Sequence, residues 1–312
     1  MSALPEPVSP SSSVEPAVDV TVVLPCFNEK GHIQQEIDRT HKALAASAYS
    51  YEILVVDDGS SDGSADLLRT VDGIRLIALP SNRGSGYARK IGTRAAKGRI
   101  VVWTDADMSY PNDDIPALVA HLEEGGFDQV VGARTSEEGT HKMLRVPAKW
   151  SIRMLARYLT KTKIPDLNSG FRAFRKEVAL PYLHLLPQGF SCVTTITMAF
   201  LSNGHTVEYI PIPYAKRAGK SKFHWREDTA RYALQVVRMI MTFNPLRVFM
   251  PIGIGLLLMA FGKLIYDIVV WDWRITSNAI ILVIVAGQVI ALGLLADLMV
   301  RLSLRHDTER AP

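Results

Sequence analysis

Two long apolar runs toward the C-terminal end constrain this chain most. From Val248 to Val270 nearly every side chain is apolar, with Lys263 and Asp267 late in the run; from Ala279 to Ala296 the only strongly polar one is Gln288. Eighteen helical residues reach roughly 27 Å, close to the hydrocarbon thickness of a bilayer. A pair of buried core helices would need that length and apolarity to coincide twice in succession. The short link WDWRITSN adds two tryptophans suited to an interface. Arg231, Arg238 and Arg247 precede the runs and Arg301 and Arg305 follow them, against Arg274 alone in the link. That imbalance predicts a membrane hairpin with both flanks cytoplasmic, and an integral protein of the cell membrane whose upstream domain faces the cytoplasm.

The remainder has room for one large domain. Of 312 residues, 1–17 are rich in Pro and Ser, lack the apolar core of a signal peptide, and read as a disordered tail. The expected division is then a domain over 18–215, a juxtamembrane segment over 216–246, the hairpin over 247–300 and a cytoplasmic tail over 301–312. A formal charge of +4 is too modest to imply nucleic acid. Cys26 and Cys192 form no CxxC pair and no disulfide framework, which fits a reducing compartment.

Within the domain, short apolar runs rich in β-branched residues alternate with helical stretches. VDVTVVLP, YEILVV, IRLIAL, RIVVWT and DQVVGA read as strands; GHIQQEIDRTHKALAA and GYARKIGTRAAK read as helices. Alternation of this kind predicts an α/β fold, a mostly parallel sheet covered by helices on both faces. Ligands of such sheets collect beyond the carboxyl ends of the strands. Acid-rich segments fall at three of those ends: PCFNE, DDGSSDGS and DADMSYP.

The third segment raises a charge problem. Asp105 and Asp107 are two apart, so an extended chain would aim both at one point, and like charges held close are unfavourable. A hard divalent cation, Mg²⁺ or Mn²⁺, is the expected partner, bridging carboxylates to substrate phosphates. An EF-hand is disfavoured, since its loop glycine and final glutamate are missing. NRGSGYARKIG places glycines at 84, 86 and 92, which is not the spacing of a dinucleotide-binding loop. It still offers a helix start where backbone would approach an anion.

Taken together, LPCFNE, VVDDGSSDGS, NRGSGYARKIGTRAAKGRIVVWTDAD, DLNSGFRAFRK and KRAGKSKF, followed by the hairpin, resemble the successive motifs of a family 2 glycosyltransferase of GT-A (Rossmann-like) fold. The likeness runs from about Val20 to the last membrane helix and is nearest to the polyprenyl-phosphate branch. Cellulose and chitin synthases are less similar, because their Q-x-x-R-W motif and additional membrane helices are missing here.

The resemblance implies roles residue by residue. Pro25, Phe27 and Glu29 would cradle nucleobase and ribose, with Val56 and Asp58 across from them. Asp105 and Asp107 would organise the metal, Ala106 passing close to the nucleotide. Ser109 stands where relatives often carry glutamine, and would be a third, poorer metal contact. Arg134, Arg217 and Lys222 would bind phosphate of donor or acceptor. Asp166 would act as base or orienting group on the acceptor loop and Arg172 would contact its phosphate, making Asp107, Asp166 and Arg172 the implied catalytic set.

Two segments explain access to a lipid. AKWSIRMLARYLTKTK spaces Lys149, Arg153, Arg157 and Lys161 four apart, one broad basic face flanked by apolar side chains. WREDTARYALQVVRMIMTF repeats apolar residues at 225, 232, 236, 240 and 243. Either would lie in the headgroup plane, or the first would pack on the domain. The expected activity is inverting transfer of a hexose from a nucleotide diphosphate sugar to a polyprenyl monophosphate at the cytoplasmic membrane face. Rivals are a transferase using another lipid acceptor and a membrane-anchored nucleotide-sugar-binding protein that does not catalyse. The sugar, the nucleobase, the length of the polyprenol, the preferred metal and any homo-oligomerisation are left open.

Overall fold

A computed structural model describes residues 18–135, 164–189, 191–215, 241, 245–270 and 276–308. The two amphipathic segments, Arg217 and Lys222, and the N-terminal tail lie outside the described residues. The first strand, β1, spans Val20–Cys26, β2 Tyr51–Asp57, β3 Ile74–Ala78, β4 Ile100–Trp103, β5 Gln129–Arg134, β6 Arg172–Arg175 and β7 Val207–Ile212. They form one sheet in the order β3-β2-β1-β4-β6-β5-β7. β6 alone runs antiparallel, inserted between β4 and β5; the other pairings are parallel.

The helices are α1 (Ile33–Ala45), α2 (Ser64–Leu68), α3 (Ser85–Ala95), α4 (Ile115–Glu124), α5 (Lys176–Ala179) and α6 (Cys192–Ser202), with α7 (Leu246–Val270) and α8 (Ser277–Thr308) beyond the sheet. Period-two alternation divides β1 between two cores. Val20, Val22 and Leu24 pack with Ile33 and Ile37 of α1 and Leu118 of α4. Val23 turns to the opposite face, where Leu54, Val56, Val101 and Trp103 meet Ala88 of α3 and Ile196 and Phe200 of α6. Burying both faces is what lets the strands be continuously apolar. The strand order reverses between β1 and β4, so the crevice at their carboxyl ends is the expected ligand site.

α7 and α8 are long and apolar enough to cross a membrane, and only 11% and 17% of their apolar windows are buried within the protein. That exposure argues against a pair of core helices. The two pack closely: a Cβ on Gly253 would come within 2.4 Å of Ile290, and one on Gly293 within 2.6 Å of Phe249. Near the turn, Asp267 pairs with Lys263 and accepts hydrogen bonds from the Thr276 N–H and hydroxyl at the start of α8.

Candidate active site

Three strand-end loops are stitched into one wall. After β1, Asn28 adopts a left-handed φ of 58°, which Asn tolerates better than most residues. Its N–H donates to Ser60 Oγ at 2.9 Å, and its Oδ1 accepts from Ser61 N–H at 2.8 Å. Glu29 N–H donates to Ser64 Oγ, and Lys30 N–H to Asp62, so PCFNE is bound to DDGSSDGS throughout. After β2, the buried carboxylate of Asp58 accepts from the N–H groups of Arg83 and Gly84 at 2.9 and 2.7 Å. Gly59 follows at φ 72°, and any Cβ there would fall 2.7 Å from the Ser81 backbone. Only glycine fits that turn.

Asp58 therefore shapes the loop leading into α3. Val56 lies deeper than the resemblance implied: fully buried, it packs beneath α3 near Gly92. Pro25, Phe27 and Glu29 are partly exposed at the rim above it.

The start of α3 is not open to an anion. Gln188 C=O accepts from the N–H groups of Gly86 and Tyr87 at 2.7 and 3.1 Å, taking donors a ligand would need. A Cβ on Gly86 would sit 2.2 Å from Pro187 O. Those glycines admit the 187–189 segment, and the expectation of anion binding there is overturned.

β4 ends at Trp103, so Asp105 and Asp107 sit on a loop and not on alternate positions of an extended strand. Met108, at φ 63°, turns that loop. The cation that the paired acids call for is partly supplied by Arg89 of α3. Arg89 is 1% exposed, donates to Asp105 Oδ1, lies 5.7 Å from the Trp103 ring and contacts Cys192 Sγ at 3.8 Å. Burial opposes its charge, but Asp105, together with Cys192 and Tyr110, prevails and holds the guanidinium above its ordinary value. The Asp105 side chain keeps 26% of its surface exposed, whereas Asp107 is 5% exposed. Ser109 donates to Asp107 Oδ1 through both N–H and Oγ. Its hydroxyl is thereby engaged as a support of Asp107. Ala106 is buried between the two acids.

A second grouping lies beside the first. Arg134, at the end of β5, forms a two-pronged pair with Asp166, Nε to Oδ2 at 2.6 Å and Nη2 to Oδ1 at 2.9 Å, and lies over the Tyr214 ring. Burial raises the Asp166 carboxyl, but the bonds and charge of Arg134 with the Asn168 N–H prevail and hold it below the usual range. An acid so paired is a poor base and a good anchor for the loop. Gly170 on that loop donates its N–H to the buried Tyr110 OH at 2.7 Å, and a Cβ there would lie 3.1 Å from Asp105 Oδ2. The DLNSG segment thus touches the D-A-D motif.

Arg172 departs from expectation. It is fully buried on β6, donating to Val193 O and Thr197 Oγ1 at 2.7 Å and to Ser169 O. Among the described residues no carboxylate pairs with it, and burial lowers it to about 10. In this arrangement it braces the 166–170 loop from beneath.

Asp105, Ala106, Asp107 and Ser109 are thus brought together, with Arg134 and Asp166 alongside; Val56 and Arg172 are not at the surface. Sequence reasoning missed Arg89, Tyr110 and Glu36. A signal for two of them existed: Arg89 shares the buried stripe of α3 with Gly86, Gly92 and Thr93, and Glu36 shares that of α1 with Ile33, Ile37 and Thr40. A charged residue on a buried stripe needs a partner.

Residues 21–181 match the sequence model described as "Glycosyl transferase family 2", and residues 244–302 match "GtrB C-terminal hairpin". Undecaprenyl-phosphate 4-deoxy-4-formamido-L-arabinose transferase of Yersinia pestis (strain Pestoides F) is 28% identical over 307 residues, covering 92% of this chain and 90% of its own. The protein of the same description from Pseudomonas fluorescens (strain SBW25) is also 28% identical, covering 91% and 85%. Among solved structures, glucosyl-3-phosphoglycerate synthase from Mycobacterium tuberculosis, in complex with Mn²⁺, UDP-glucose and phosphoglyceric acid, superposes with a TM-score of 0.56 at 20% identity. It covers 72% of this chain and 79% of that one. At that identity the likeness speaks for the GT-A fold alone.

Proposed function

Because the chain belongs to glycosyl transferase family 2, we propose that it transfers a sugar from a nucleotide diphosphate sugar to a polyprenyl monophosphate at a membrane surface. The observation that carries this reading is the joining of two features in one chain: a carboxylate pair at the β1/β4 switch point, and a hairpin of two exposed apolar helices. Relatives described as undecaprenyl-phosphate transferases, matched over nearly their whole length, support the acceptor class.

The donor would lie across the carboxyl ends of β1, β2 and β4, its base and ribose against Pro25, Phe27 and Glu29. Asp105 and Asp107 offer hard oxygen donors, and among the described residues no group of three or more His, Cys, Asp or Glu forms a closed metal cage. Such a set suits Mg²⁺ or Mn²⁺, which takes one or two carboxylates and completes its shell with phosphates and water. Bound there, the ion would offset the charge of the departing diphosphate.

For inversion, an oxygen of the lipid phosphate attacks the anomeric carbon as the bond to the nucleoside diphosphate breaks. That phosphate is mostly ionised near neutral pH, its second pKa being about 6, so no strong base is required. The Arg134–Asp166 pair orients the acceptor loop, and Arg217 and Lys222 are proposed as its phosphate contacts. The transferred sugar is a hexose or a modified pentose, and the catalytic part faces the cytoplasm, as the Arg-rich flanks imply.

The role proposed for the hairpin has its own test. Deleting residues after Arg247 is expected to leave nucleotide-sugar binding intact while lowering activity on a long-chain acceptor in liposomes. The donor site is assembled entirely upstream of Leu246, whereas a bilayer acceptor depends on local concentration. Relative to a short, water-soluble prenyl phosphate, long-chain activity should fall by roughly tenfold or more. An unchanged ratio would mean that the hairpin does not deliver the acceptor.

A further inference from the structure

α1 carries a fully buried carboxylate on a stripe shared with Ile33, Ile37, Thr40 and Leu44. Glu36 is 0% exposed and accepts, through Oε1, a hydrogen bond from Asn112 Nδ2. Asn112 Oδ1 in turn accepts from Thr104 Oγ1 at 2.5 Å, and both of these residues are also fully buried. Thr104 immediately precedes Asp105, and Asn112 opens the short turn that closes the same loop. One turn along α1, Arg39 donates to Tyr110 O at 3.2 Å and pairs with Asp113 at 2.5 Å. α1 therefore grips the far end of the loop directly and its start, Thr104, through Asn112, while Asp105 and Asp107 ride between them.

Packing alone does not account for Glu36. Its Oε2 is buried with no hydrogen-bond partner. Burial pushes the carboxyl up to about 7, opposed by Arg39 and reinforced by Asp107 and Asp113. A buried charged group is weak support for stability, and an apolar side chain of similar volume would serve a core better. What Glu36 provides is direction: it fixes Asn112, which fixes Thr104, in one hydrogen-bonded arrangement.

We propose that Glu36, acting through Asn112 and Thr104, is a positioning residue that holds the Asp105–Asp107 loop in the shape that receives the nucleotide diphosphate. This rests on the assignment of that loop to the donor. Glu36 touches no substrate; it acts on the site from beneath.

The test uses full-length protein and binding, not turnover alone. Mn²⁺ is titrated in the presence of UDP and, separately, of GDP, for the wild type and for Glu36→Ala, Asn112→Ala, their double variant, Glu36→Gln and Thr104→Val. Each alanine variant is expected to weaken nucleotide binding roughly tenfold, the scale of one buried hydrogen bond. The double variant should be no weaker than the singles, because both break one chain of contacts. Glu36→Gln should recover most of the loss, since its Oε1 still accepts from Asn112. Half-saturation by a prenyl phosphate acceptor should not change.

If Glu36→Ala fails to fold, Thr104→Val deletes a single hydroxyl and should still weaken nucleotide binding severalfold. Variants that bind as tightly as a wild type competent for UDP or GDP overturn the inference alone. A wild type that binds neither nucleotide overturns the functional reading and this inference with it.

Discussion

Asp107→Asn is expected to cut sugar transfer roughly a thousandfold or more, with little change in thermal stability. Asparagine matches aspartate in shape, and both hydrogen bonds from Ser109 fall on Oδ1, an atom it retains. What is lost is the negative charge, and with it the ligand proposed to draw a divalent cation to the site. Nucleotide binding should lose its dependence on Mg²⁺ or Mn²⁺. Thermal melting checks the fold, and initial rates against added metal check the chemistry. Full activity in chelator-treated buffer would remove Asp107 from the mechanism.

Arg89→Leu should be costly in two separate ways. It removes the guanidinium from Asp105 and leaves that carboxylate in a partly buried site without its ion-pair partner. The expected loss is about 3 kcal/mol, at the low end for breaking a buried pair because Asp105 retains contact with water. Transfer should fall further than stability alone explains, since Asp105 loses the contact that orients it. Adding Asp105→Asn removes the stranded charge, so the double variant should melt above Arg89→Leu yet recover no activity. If transfer by Arg89→Leu falls only as far as its loss of folded protein explains, Arg89 serves the fold only.

Much of the sheet was legible because strands buried on both faces announce themselves as apolar runs. β1 to β5 fall where VDVTVVLP, YEILVV, IRLIAL, RIVVWT and DQVVGA place them. β6 was not legible. Its four residues, RAFR, pair with strands far off in sequence, and their basic side chains drew attention to phosphate instead. α6 is buried almost all round, so it lacks the amphipathic period by which a helix is usually read.

The site shows the same division. The D-A-D, N-S-G and D-D-G motifs could be picked out by residue type; the first two meet at Gly170 and Asp105, while D-D-G ties the loops after β1 and β3. Their supports could not, because each support comes from another element. Asp105 is answered by Arg89 sixteen residues upstream, Asp166 by Arg134, and Asn112, which accepts from Thr104 after β4, by Glu36 of α1. Alternation also misled where it was carried past the strand: β4 stops at Trp103, and beyond it the spacing of two no longer sets direction. The open helix start read in NRGSGYARKIG was closed by Gln188, a residue a hundred positions away that no local pattern foretells.

The most direct measurement places full-length protein in liposomes containing undecaprenyl phosphate, with Mn²⁺ and a panel of labelled nucleotide sugars. Transfer is followed by extraction of the lipid phase. The expected result is movement of label from one donor class into a lipid that still carries its phosphate, with release of the nucleoside diphosphate and inversion at the anomeric carbon. Matched liposomes with dephosphorylated polyprenol, or with diacylglycerol alone, should gain no label. Label appearing on diacylglycerol, or tight donor binding without transfer to any lipid, would contradict a polyprenyl-phosphate glycosyltransferase.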